Sequence, residues 1–563
     1  MSPLDYIVLV GSMLTIAGYG IWRTRDRRSL NSYLKGAGKT PWWAIGLSVM
    51  ATQASAITFL STPGQGYLGG LGFLQIYFGM PLALITIAAV FLPIYRKLNV
   101  YTAYEFLGKR FDKKTRLLGA GLFLLQRGLG AGLTIYAPAI VLTTVFGWPL
   151  NFTIIASGLV VVVYTALGGS DAVTVTQRYQ LGVIFAGMVA AFCLLIAKLP
   201  HELGIGDTFA LAGGFHKLNA VSFSTDLHER YTIWSGIIGG TFLMLSYFGT
   251  DQSQVQRYIT GESLRESRLG LMFNAVCKIP MQFFILLLGV LLFVFYQFAQ
   301  PPLVFGATRG QEAGVMPATQ TEFSAAHAEA RQDLETWLKA RHAGDASAAS
   351  AAFGAAVAAH TRWEKAQDDA LRQARKRSKT TANVADYVFI TFILEQLPHG
   401  IIGLLVAAFF GAALSAKAAE LNALGSSTTI DFYRLLAGPR ATEKACLTAS
   451  RAFTAMWGLV AIAFALYAHL VENLIQAVNI LGSIFYGTLL GLFVVGFFVR
   501  RVGGHAIFWG ALLAQGLVCA LYFNLTISYL WFPLIGCAGC VIFSLALQPV
   551  LGTNETVKGE AAA

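Results

Sequence analysis

The chain has 563 residues, of which 55% are hydrophobic and only 12% are charged, and its mean hydropathy is +0.60. This composition excludes an ordinary soluble protein and is typical of a polytopic membrane protein. The formal net charge of +12 lies mostly in predicted loops. We therefore expect it to face anionic lipid rather than a nucleic acid.

Apolar runs of about 17–30 residues recur along the whole chain and predict about thirteen transmembrane helices. In chain order these spans lie near 4–22, 42–62, 70–94, 116–146, 150–167, 174–197, 231–249, 268–298, 396–430, 449–469, 474–499, 505–523 and 528–549. The first run leads into the basic segment Arg23–Arg28, which favours a stop-transfer flank over a cleaved signal peptide.

Basic loops indicate the orientation. They fall on one side of an alternating topology, at Arg23–Arg28, Arg96–Lys97, Lys109–Arg116, Arg257–Arg268, Arg434–Lys444 and Arg500–Arg501. Because basic loops stay in the cytoplasm, this pattern predicts an N-terminus outside and a C-terminus inside. The compact form, with no cysteine in a predicted outer loop, favours a bacterial inner membrane.

One segment, 301–387, differs from the rest because it is rich in Ala, Arg, Asp, Glu and Gln and poor in strand formers. It predicts one or two long surface helices, arranged as a mobile hairpin on the outer face. Its apolar residues are sparse, which argues against an independently stable domain.

Ionisable residues inside the spans are the clearest functional signal. The segment Ala407–Tyr433 carries Ser415, Lys417, Glu420 and Asn422 within about two turns. Each ionisable group in a bilayer costs on the order of 3 kcal/mol or more, so such groups need a partner or a task. Glu420 is within pairing reach of Lys417, and Arg127 in another span also needs a partner. This pattern indicates a pathway for a small solute or ion.

A family resemblance becomes specific at Gly249–Tyr258, which reads GTDQSQVQRY and is followed by Ser263–Arg268. This run resembles the sodium/solute symporter family, which includes the sodium–sugar, proline and sialic acid carriers. Further matching segments are Ser55–Tyr67, Tyr136–Ala139, Gly168-Gly169 with Ala172-Val173, and Leu421-Asn422 with Asp431–Tyr433. The resemblance implies an all-α, LeuT-type membrane fold, in which five core helices are repeated in inverted topology.

The resemblance also implies a division of the chain into segments. These are 1–30, a leading helix and basic flank; 40–300, the first part of the transporter core; 301–387, the outer insert; 388–500, the rest of the core; 501–552, two accessory helices; and 553–563, a short disordered tail. The two halves of the core should each open on a broken helix, because breaks free backbone groups for ions and solutes. Polar and small residues at mid-depth place these breaks around Ala51–Ala56 and Ser246–Thr250.

Sodium (Na⁺) is the coupling ion that the resemblance implies. The shared site maps onto carbonyls of Ala51, Ala54 and Ala412 and the hydroxyl of Ser415, whereas the second hydroxyl position is Ala416. A further site found in some members maps onto positions without the required groups, at Ala418, Ala419 and Gln177. Two alternatives stay open for the neighbouring charges. Lys417 replaces the ion electrostatically, with proton coupling or exchange, or Lys417, Glu420 and Arg127 form a structural ion-pair cluster.

Candidate substrate-binding residues follow from the family's cavity between core helices 1, 3, 6, 8 and 10. They are Gln53, Ser55, Thr58, Tyr247, Phe248, Gln476 and Asn479. Ordinary packing is the alternative for the aromatic residues, and hydrogen bonds to a neighbouring helix are the alternative for the polar ones. Asp251, Gln252 and Arg257 mark the inner end of the sixth core helix and are candidates for a cytoplasmic gate.

These observations predict a secondary active transporter that imports a small polar organic solute by sodium symport through alternating access. The alternatives are a sodium-independent carrier and, less favoured, a transporter-like ligand sensor. No catalytic constellation stands out, so we expect no enzyme. The expected partners are the solute and the lipid bilayer, with no nucleic acid and no obligatory protein partner. A neutral or anionic solute is favoured.

Overall fold

The computed structural model describes residues 2–24, 41–98, 100–259, 261–306, 315–378, 384–438, 441–467 and 474–551. Side chains are described in these ranges except at 13–14, 16–24, 164, 167–180, 377–378 and 415. The described residues are mostly helical and contain no β-strand. Helices satisfy every internal backbone group within one segment, which a bilayer without water requires.

The helices follow the predicted spans, with extra breaks. In chain order they are α1 (Pro3–Thr24), α2 (Trp42–Gln53), α3 (Ala56–Gly69), α4 (Met80–Thr86), α5 (Leu92–Leu98), α6 (Glu105–Arg110), α7 (Lys113–Phe146), α8 (Leu150–Ala197), α9 (Ile205–Gly214), α10 (Gly240–Gly249), α11 (Gln252–Tyr258), α12 (Leu264–Phe298), α13 (Pro317–His342), α14 (Ala346–Ser378), α15 (Val384–Gln396), α16 (Ile401–Ser427), α17 (Arg434–Ala437), α18 (Glu443–Tyr467), α19 (Leu474–Phe498), α20 (Gly504–Asn524) and α21 (Phe532–Leu551). Short 3₁₀ segments lie at Gly70–Tyr77 and Tyr529–Trp531, and π-helical turns at Ile87–Phe91, Ser235–Gly239 and Thr428–Tyr433.

Within the described ranges, 8 helices are long and apolar enough to cross a bilayer. Four shorter apolar segments accompany them, at Pro3–Ser12, Leu150–Val163, Leu181–Ala197 and Ser235–Gly249. The all-helical membrane fold is thus confirmed, and the number of thirteen spans stays a prediction.

One region differs from the sequence-based expectation. The sequence predicts two separate spans, 150–167 and 174–197, whereas the backbone forms the single helix α8 of 48 residues. Side chains at 167–180 lie outside the described part of the chain. The prediction of two spans rests on two separate apolar runs with Gly168-Gly169 between them, but glycine in a helix costs only about 1 kcal/mol relative to alanine. Two adjacent glycines therefore do not by themselves end a helix.

Both predicted helix breaks are present. The first separates α2 from α3 between Gln53 and Ala56, and the second separates α10 from α11 between Gly249 and Gln252. Each break leaves backbone groups without intrahelical partners. At these two places the membrane bundle can offer carbonyls and amides to something other than its own helices.

The insert forms an α-helical hairpin, α13 with α14, that has a small core of its own. This core contains Leu303, Val304, Val315, Phe323, Ala326, Ala330, Ala359, Trp363, Ala366, Ala370 and Ala374. The hairpin also docks on the bundle, because Phe353 packs against Phe215 next to α9, with ring centroids 5.3 Å apart. The insert's predicted end at 387 lies inside α15, which packs against α3 where Gly64 meets Ala385.

The leading helix α1 is attached to the start of α16 by one carboxylate. Asp5 is fully buried, and it accepts hydrogen bonds from the amides of Gly400 (2.6 Å) and Gly403 (3.3 Å). The ring of His399 lies 3.0 Å from the same carboxylate. Gly403 has no room for a Cβ because the backbone of Asp5 lies against it. The hydrogen bonds end on backbone amides of α16, and Gly403 lies against the backbone of Asp5. These contacts fix α1 in register with α16.

Candidate transport site

The break between α10 and α11 is filled by tyrosine hydroxyls. Three consecutive carbonyls each accept one hydroxyl, in the pairs Tyr258–Phe248 (2.9 Å), Tyr95–Gly249 (2.7 Å) and Tyr104–Thr250 (2.9 Å). Backbone carbonyls in a water-free interior need such donors. The protein therefore supplies from its own side chains the hydrogen bonds that the break removes.

Asp251 begins α11 at this break and is fully buried. Its Oδ1 accepts hydrogen bonds from the backbone N–H of Ser253 (2.9 Å) and the hydroxyl of the same residue (2.7 Å). Its Oδ2 accepts a guanidinium N–H of Arg127 and the hydroxyl of Tyr486, the latter at 3.3 Å. Every oxygen of the carboxylate thus has a donor.

Arg127 connects this break to another helix. It projects from α7, is 4% exposed, and its Nη1 donates to Oε1 of Glu420 at 3.1 Å. The ring of Tyr247 lies under the guanidinium, with 5.4 Å between Cζ and the ring centroid. A planar guanidinium suits this position because it can serve two carboxylates in different directions.

Glu420 on α16 completes the arrangement. Its Oε2 accepts Nζ of Lys417 (3.2 Å) and Oγ1 of Thr134 (3.0 Å). Lys417 is 1% exposed and also donates to the carbonyl of Ala131 at 2.7 Å. We call Arg127, Asp251, Lys417 and Glu420 the charge cluster. Its two cations and two anions balance, as burial inside a bilayer requires.

The structure thus brings together the three residues of the predicted charge network and adds Asp251, which the sequence analysis placed at the gate. The cluster joins α7, α16 and the break before α11. Removing one member of a buried ion pair leaves an uncompensated charge, which costs about 3–5 kcal/mol. The cluster can therefore hold these three elements in one arrangement.

The positions expected for sodium lie where the first break meets α16. Ala51 and Ala54 are buried at the end of α2, Ala412 is buried in α16, and α2 and α3 pack against α16. The side chain of Ser415 lies outside the described part of the chain, and so does that of Gln177. Ala416 is 2% exposed, and the fully buried Ala418 and Ala419 likewise carry no side-chain oxygen. The fit to sodium therefore depends on backbone carbonyls and one hydroxyl, donors of the type that sodium accepts.

Polar side chains of the first break stay close to it. Thr58 Oγ1 lies 3.4 Å from the carbonyl oxygen of Gln53, and Ser55 is half-buried at the N-cap of α3 without a side-chain cap bond. The buried Oε1 of Gln53 has no hydrogen-bond partner among the described residues. These three predicted substrate residues thus share one location with unused hydrogen-bonding capacity.

The other predicted substrate residues lie in different surroundings. Tyr247 accepts a hydrogen bond from Gln254 Nε2 (2.6 Å) beside the charge cluster. Phe248 is fully buried and packs in the hydrophobic core. Gln476 contacts Gln65 (2.9 Å) and Arg230 (3.0 Å). Asn479 donates to the carbonyl of Ile475 in its own helix, at 2.9 Å.

The three gate residues are divided between two places. Asp251 belongs to the charge cluster, whereas Gln252 accepts the amide of Ala103 (3.0 Å) and donates to the carbonyl of Tyr101 (2.9 Å). Arg257 is buried in α11 at 3% exposure. Of the three gate residues, Gln252 therefore connects the break to the loop before α6.

Thr134, Tyr486 and Lys278 are site residues that were not predicted from the sequence. Thr134 and Tyr486 carry no pattern that distinguishes them from ordinary polar residues of a membrane helix. Lys278 did carry a signal, since it lies inside the apolar run 268–298, and the cost of an intramembrane cation applies to it as it does to Lys417.

Comparison with known proteins gives the family. A model of the sodium:solute symporter family matches residues 33–319 and 369–514. The sodium/sialic acid symporter of Proteus mirabilis (strain HI4320) is 25% identical over 97% of this chain and 95% of that protein. The human sodium-coupled monocarboxylate transporter 1 is 28% identical over 88% of this chain and 69% of that protein. The human sodium/iodide cotransporter is 31% identical, but the match spans only 47% of its length.

The fold agrees with these matches. The chain superposes on the substrate-bound, outward-open structure of a Na⁺-coupled sialic acid symporter with a TM-score of 0.74 at 23% identity, over 98% of this chain and 99% of that one. This likeness confirms the LeuT-type fold. The family match confirms the predicted class, a membrane transporter of small solutes for which sodium is the coupling ion. The chain belongs to the sodium:solute symporter family.

Proposed function

We propose that this chain imports a small polar solute across the bacterial inner membrane together with sodium, by alternating access, with its N-terminus outside. One observation carries this proposal: Arg127 joins α7 to both Asp251, at a helix break, and Glu420 on α16. A buried cation shared between a broken helix and two neighbouring helices is a contact that can break and re-form between states.

Sodium would bind where the first break meets α16. The candidate donors are the carbonyls of Ala51, Ala54 and Ala412 and the hydroxyl of Ser415. Carbonyls at the end of α2 carry partial negative charge, which favours a cation there. Glu420 is engaged by Arg127, Lys417 and Thr134. The cluster therefore has no spare carboxylate for sodium.

The solute would be anionic. The three relatives described above are named for sialic acid, monocarboxylates and iodide, which are all anions. Gln53, Ser55 and Thr58 would supply hydrogen bonds at the first break, and Tyr247 would lie beside the solute path. Gln476 and Asn479 would act nearer the outer end, where Arg230 contacts Gln476. Gln252 and Arg257 would belong to the inner gate.

A sodium titration tests the proposal. Purified protein in detergent is unfolded thermally in NaCl and in choline chloride at constant ionic strength, at pH 6 and pH 8. We expect a saturable, sodium-specific rise in melting temperature at both pH values. In liposomes, an inward sodium gradient should drive accumulation of the solute.

The same titration separates the alternative. If sodium has no effect and a pH-dependent shift is lost in Lys417→Ala, then Lys417 takes the place of the ion and the chain is a sodium-independent carrier. Sodium binding without any solute accumulation would instead indicate a ligand sensor.

A further inference from the structure

Lys278 is a second intramembrane lysine that the charge cluster does not use. It lies in α12, is fully buried, and its Nζ has no hydrogen-bond partner within the described ranges. A lysine at the centre of a membrane helix costs about 3 kcal/mol or more. Such a charge persists where it has a task, and among the described residues no hydrogen bond accounts for this ammonium.

The register of α12 places Lys278 at the first helix break. This helix runs parallel to α2 and α3, since residue numbers rise together along the contact. Near its start a Cβ on Gly270 would lie 2.7 Å from the side chain of Ile45, and near its end a Cβ on Gly289 would lie 2.0 Å from the carbonyl of Pro63. Lys278 lies between these two contacts along the helix, so it is level with the break at Gln53. At 100° per residue, Lys278 and Gly289 project in directions about 20° apart. Lys278 and Gly289 therefore share the face of α12 that packs against α3.

Polar atoms with spare capacity surround this point. One turn away on either side of α12, both amide atoms of Asn274 and the Oε1 of Gln282 lack partners among the residues that the structure describes. Gln282 donates to the hydroxyl of Tyr77 at 2.6 Å, and Lys278 Nζ lies 5.9 Å from the centroid of that ring. A face lined in this way by donors and acceptors is unlike helix packing, where buried polar groups are normally paired.

The charge of a ligand that could pair with Lys278 follows from the charges around this position. The first amides of α3 at the break carry partial positive charge, since Ser55 makes no side-chain cap bond there. Lys278 adds a full positive charge at the same level. An anion would satisfy both, whereas the neutral charge cluster could accept an anion only by giving up one of its own ion pairs.

We propose that Lys278, with Asn274, Tyr77 and the N-terminal end of α3, binds the carboxylate of the transported solute. This inference rests on the proposed function, because it assigns the solute's charge to a specific cation. The ammonium donates to the carboxylate, the amide of Asn274 donates beside it, and the amides of α3 approach from the opposite side. The sodium positions at the end of α2 lie next to this site, so the anion and the cation would attract one another across the break.

The test compares anions with their neutral counterparts on the purified full-length chain. Thermal unfolding is followed during titration with acetate, lactate, pyruvate, chloride and iodide as sodium salts, and with acetamide and lactamide. Sodium sulfate holds the sodium concentration constant. The wild-type chain is compared with Lys278→Met, which keeps the length of the side chain, and with Lys278→Arg, which keeps the charge. Lys365→Met, on the exposed face of α14, is the matched control.

We expect a saturable rise in melting temperature with at least one carboxylate and none with the amides. Lys278→Met should weaken the response about tenfold or more, the value of one charge-assisted hydrogen bond. Lys278→Arg should retain most of the response, and Lys365→Met all of it. Because Lys278→Met removes an unpaired charge, we expect it to fold at least as stably as the wild-type chain.

Other results overturn the inference. Equal responses in wild type and Lys278→Met, equal responses to lactate and lactamide, or no response to any anion would each do so. A response to halides alone would identify an inorganic ion in place of the carboxylate. A repeat in choline salts separates this inference from the proposed function. If sodium has no effect but the anion response still depends on Lys278, only sodium coupling is contradicted. If sodium stabilises the chain but no anion response depends on Lys278, only the anion site is contradicted.

Discussion

Arg116 is joined to Asp431 through two of its guanidinium nitrogens, with Nη2 at 2.8 Å and Nε at 2.9 Å from the same carboxylate oxygen. The pair connects the first turn of α7 to the π-helical turn that follows α16. Asp431 is fully buried and also accepts the hydroxyls of Thr102 and Ser427, each at 2.7 Å. The Asp431 carboxylate therefore connects α7, the loop before α6 and the end of α16, at the end of the bundle opposite the hairpin.

Arg116→Met should destabilise the protein by about 3–5 kcal/mol, because it leaves the Asp431 carboxylate buried without a cation. Thermal unfolding in detergent measures the loss. The double variant Arg116→Met with Asp431→Asn should recover part of it, since the unpaired charge is removed.

An exposed ion pair provides the matched control. Arg362 contacts Glu329 at 2.6 Å on the hairpin, and both side chains are about half exposed. Arg362→Met should change stability by no more than about 1 kcal/mol. Equal losses in Arg116→Met and Arg362→Met would contradict the assigned role of Asp431.

Within the charge cluster, Glu420→Gln should be more damaging than Lys417→Met. Glu420 serves three donors, and the amide keeps only one acceptor oxygen and removes the negative charge that balances Lys417. After Lys417→Met, by contrast, Glu420 keeps Arg127 and Thr134. Solute uptake and thermal unfolding of the two single variants measure this order.

A double-mutant cycle of Lys417→Met and Glu420→Gln should give a coupling energy of about 0.5–3 kcal/mol, as for neighbours in one network. Additive effects would show that the two residues act independently, contrary to the contact at 3.2 Å between Nζ and Oε2.

The tyrosines at the second break predict a hydroxyl-specific effect. Tyr104→Phe removes the donor to the carbonyl of Thr250, which lies 2.9 Å away. An unsatisfied buried carbonyl costs about 1–3 kcal/mol, so thermal stability should fall by that amount. Tyr522→Phe, on a partly exposed ring, should have little effect. If both substitutions behave alike, the hydroxyl contributes nothing to the break.

Docking of the hairpin should weaken at acidic pH. Burial, together with the nearby positive charge of Lys217, lowers the pKa of His360 to about 4. Burial lowers the pKa of His327 as well. The folded state favours neutral rings, so this stability is fully present above about pH 6.5, the unfolded pKa, and is lost as pH falls towards 4. For His360 the total is roughly 3 kcal/mol.

Hydrogen exchange of α13 and α14 between pH 7 and pH 4, corrected for the intrinsic rate, measures this effect. Glu364, 3.9 Å from the ring of His360, is the only acidic partner of that ring among the described ion pairs, and it is half exposed. His360→Phe should remove much of the pH dependence while keeping the ring packed against Phe215 and Trp363. An unchanged dependence would assign it to other groups.

Local chemistry made much of the fold predictable from the sequence. The breaks at Gln53 and Gly249 follow from polar and small residues inside apolar runs, and pairing of Lys417 with Glu420 follows from their spacing of three. The link between Arg127 and Asp251 did not follow, because it depends on the register between α7 and a break 124 residues further along the chain. Lys278 was visible as a charge, but its position at the first break required the packing of α12.

The insert shows the same limit. Composition predicted the helices, but not the docking of Phe353 on Phe215, which depends on where α9 comes to rest. At α8 the difference has the opposite sense, since two apolar runs predict two spans and the backbone forms one helix.

The attachment of Asp5 to Gly400 and Gly403 has a consequence for experiments on motion. Because α1 is bonded to the backbone of α16, the two must travel as one body whenever the carrier changes the side it faces. A pair of spectroscopic labels on α1 and α16 should therefore report one constant separation in every state. A label on α1 paired with one on α12 would record the displacement of α16 without any modification of the helix that carries Lys417 and Glu420.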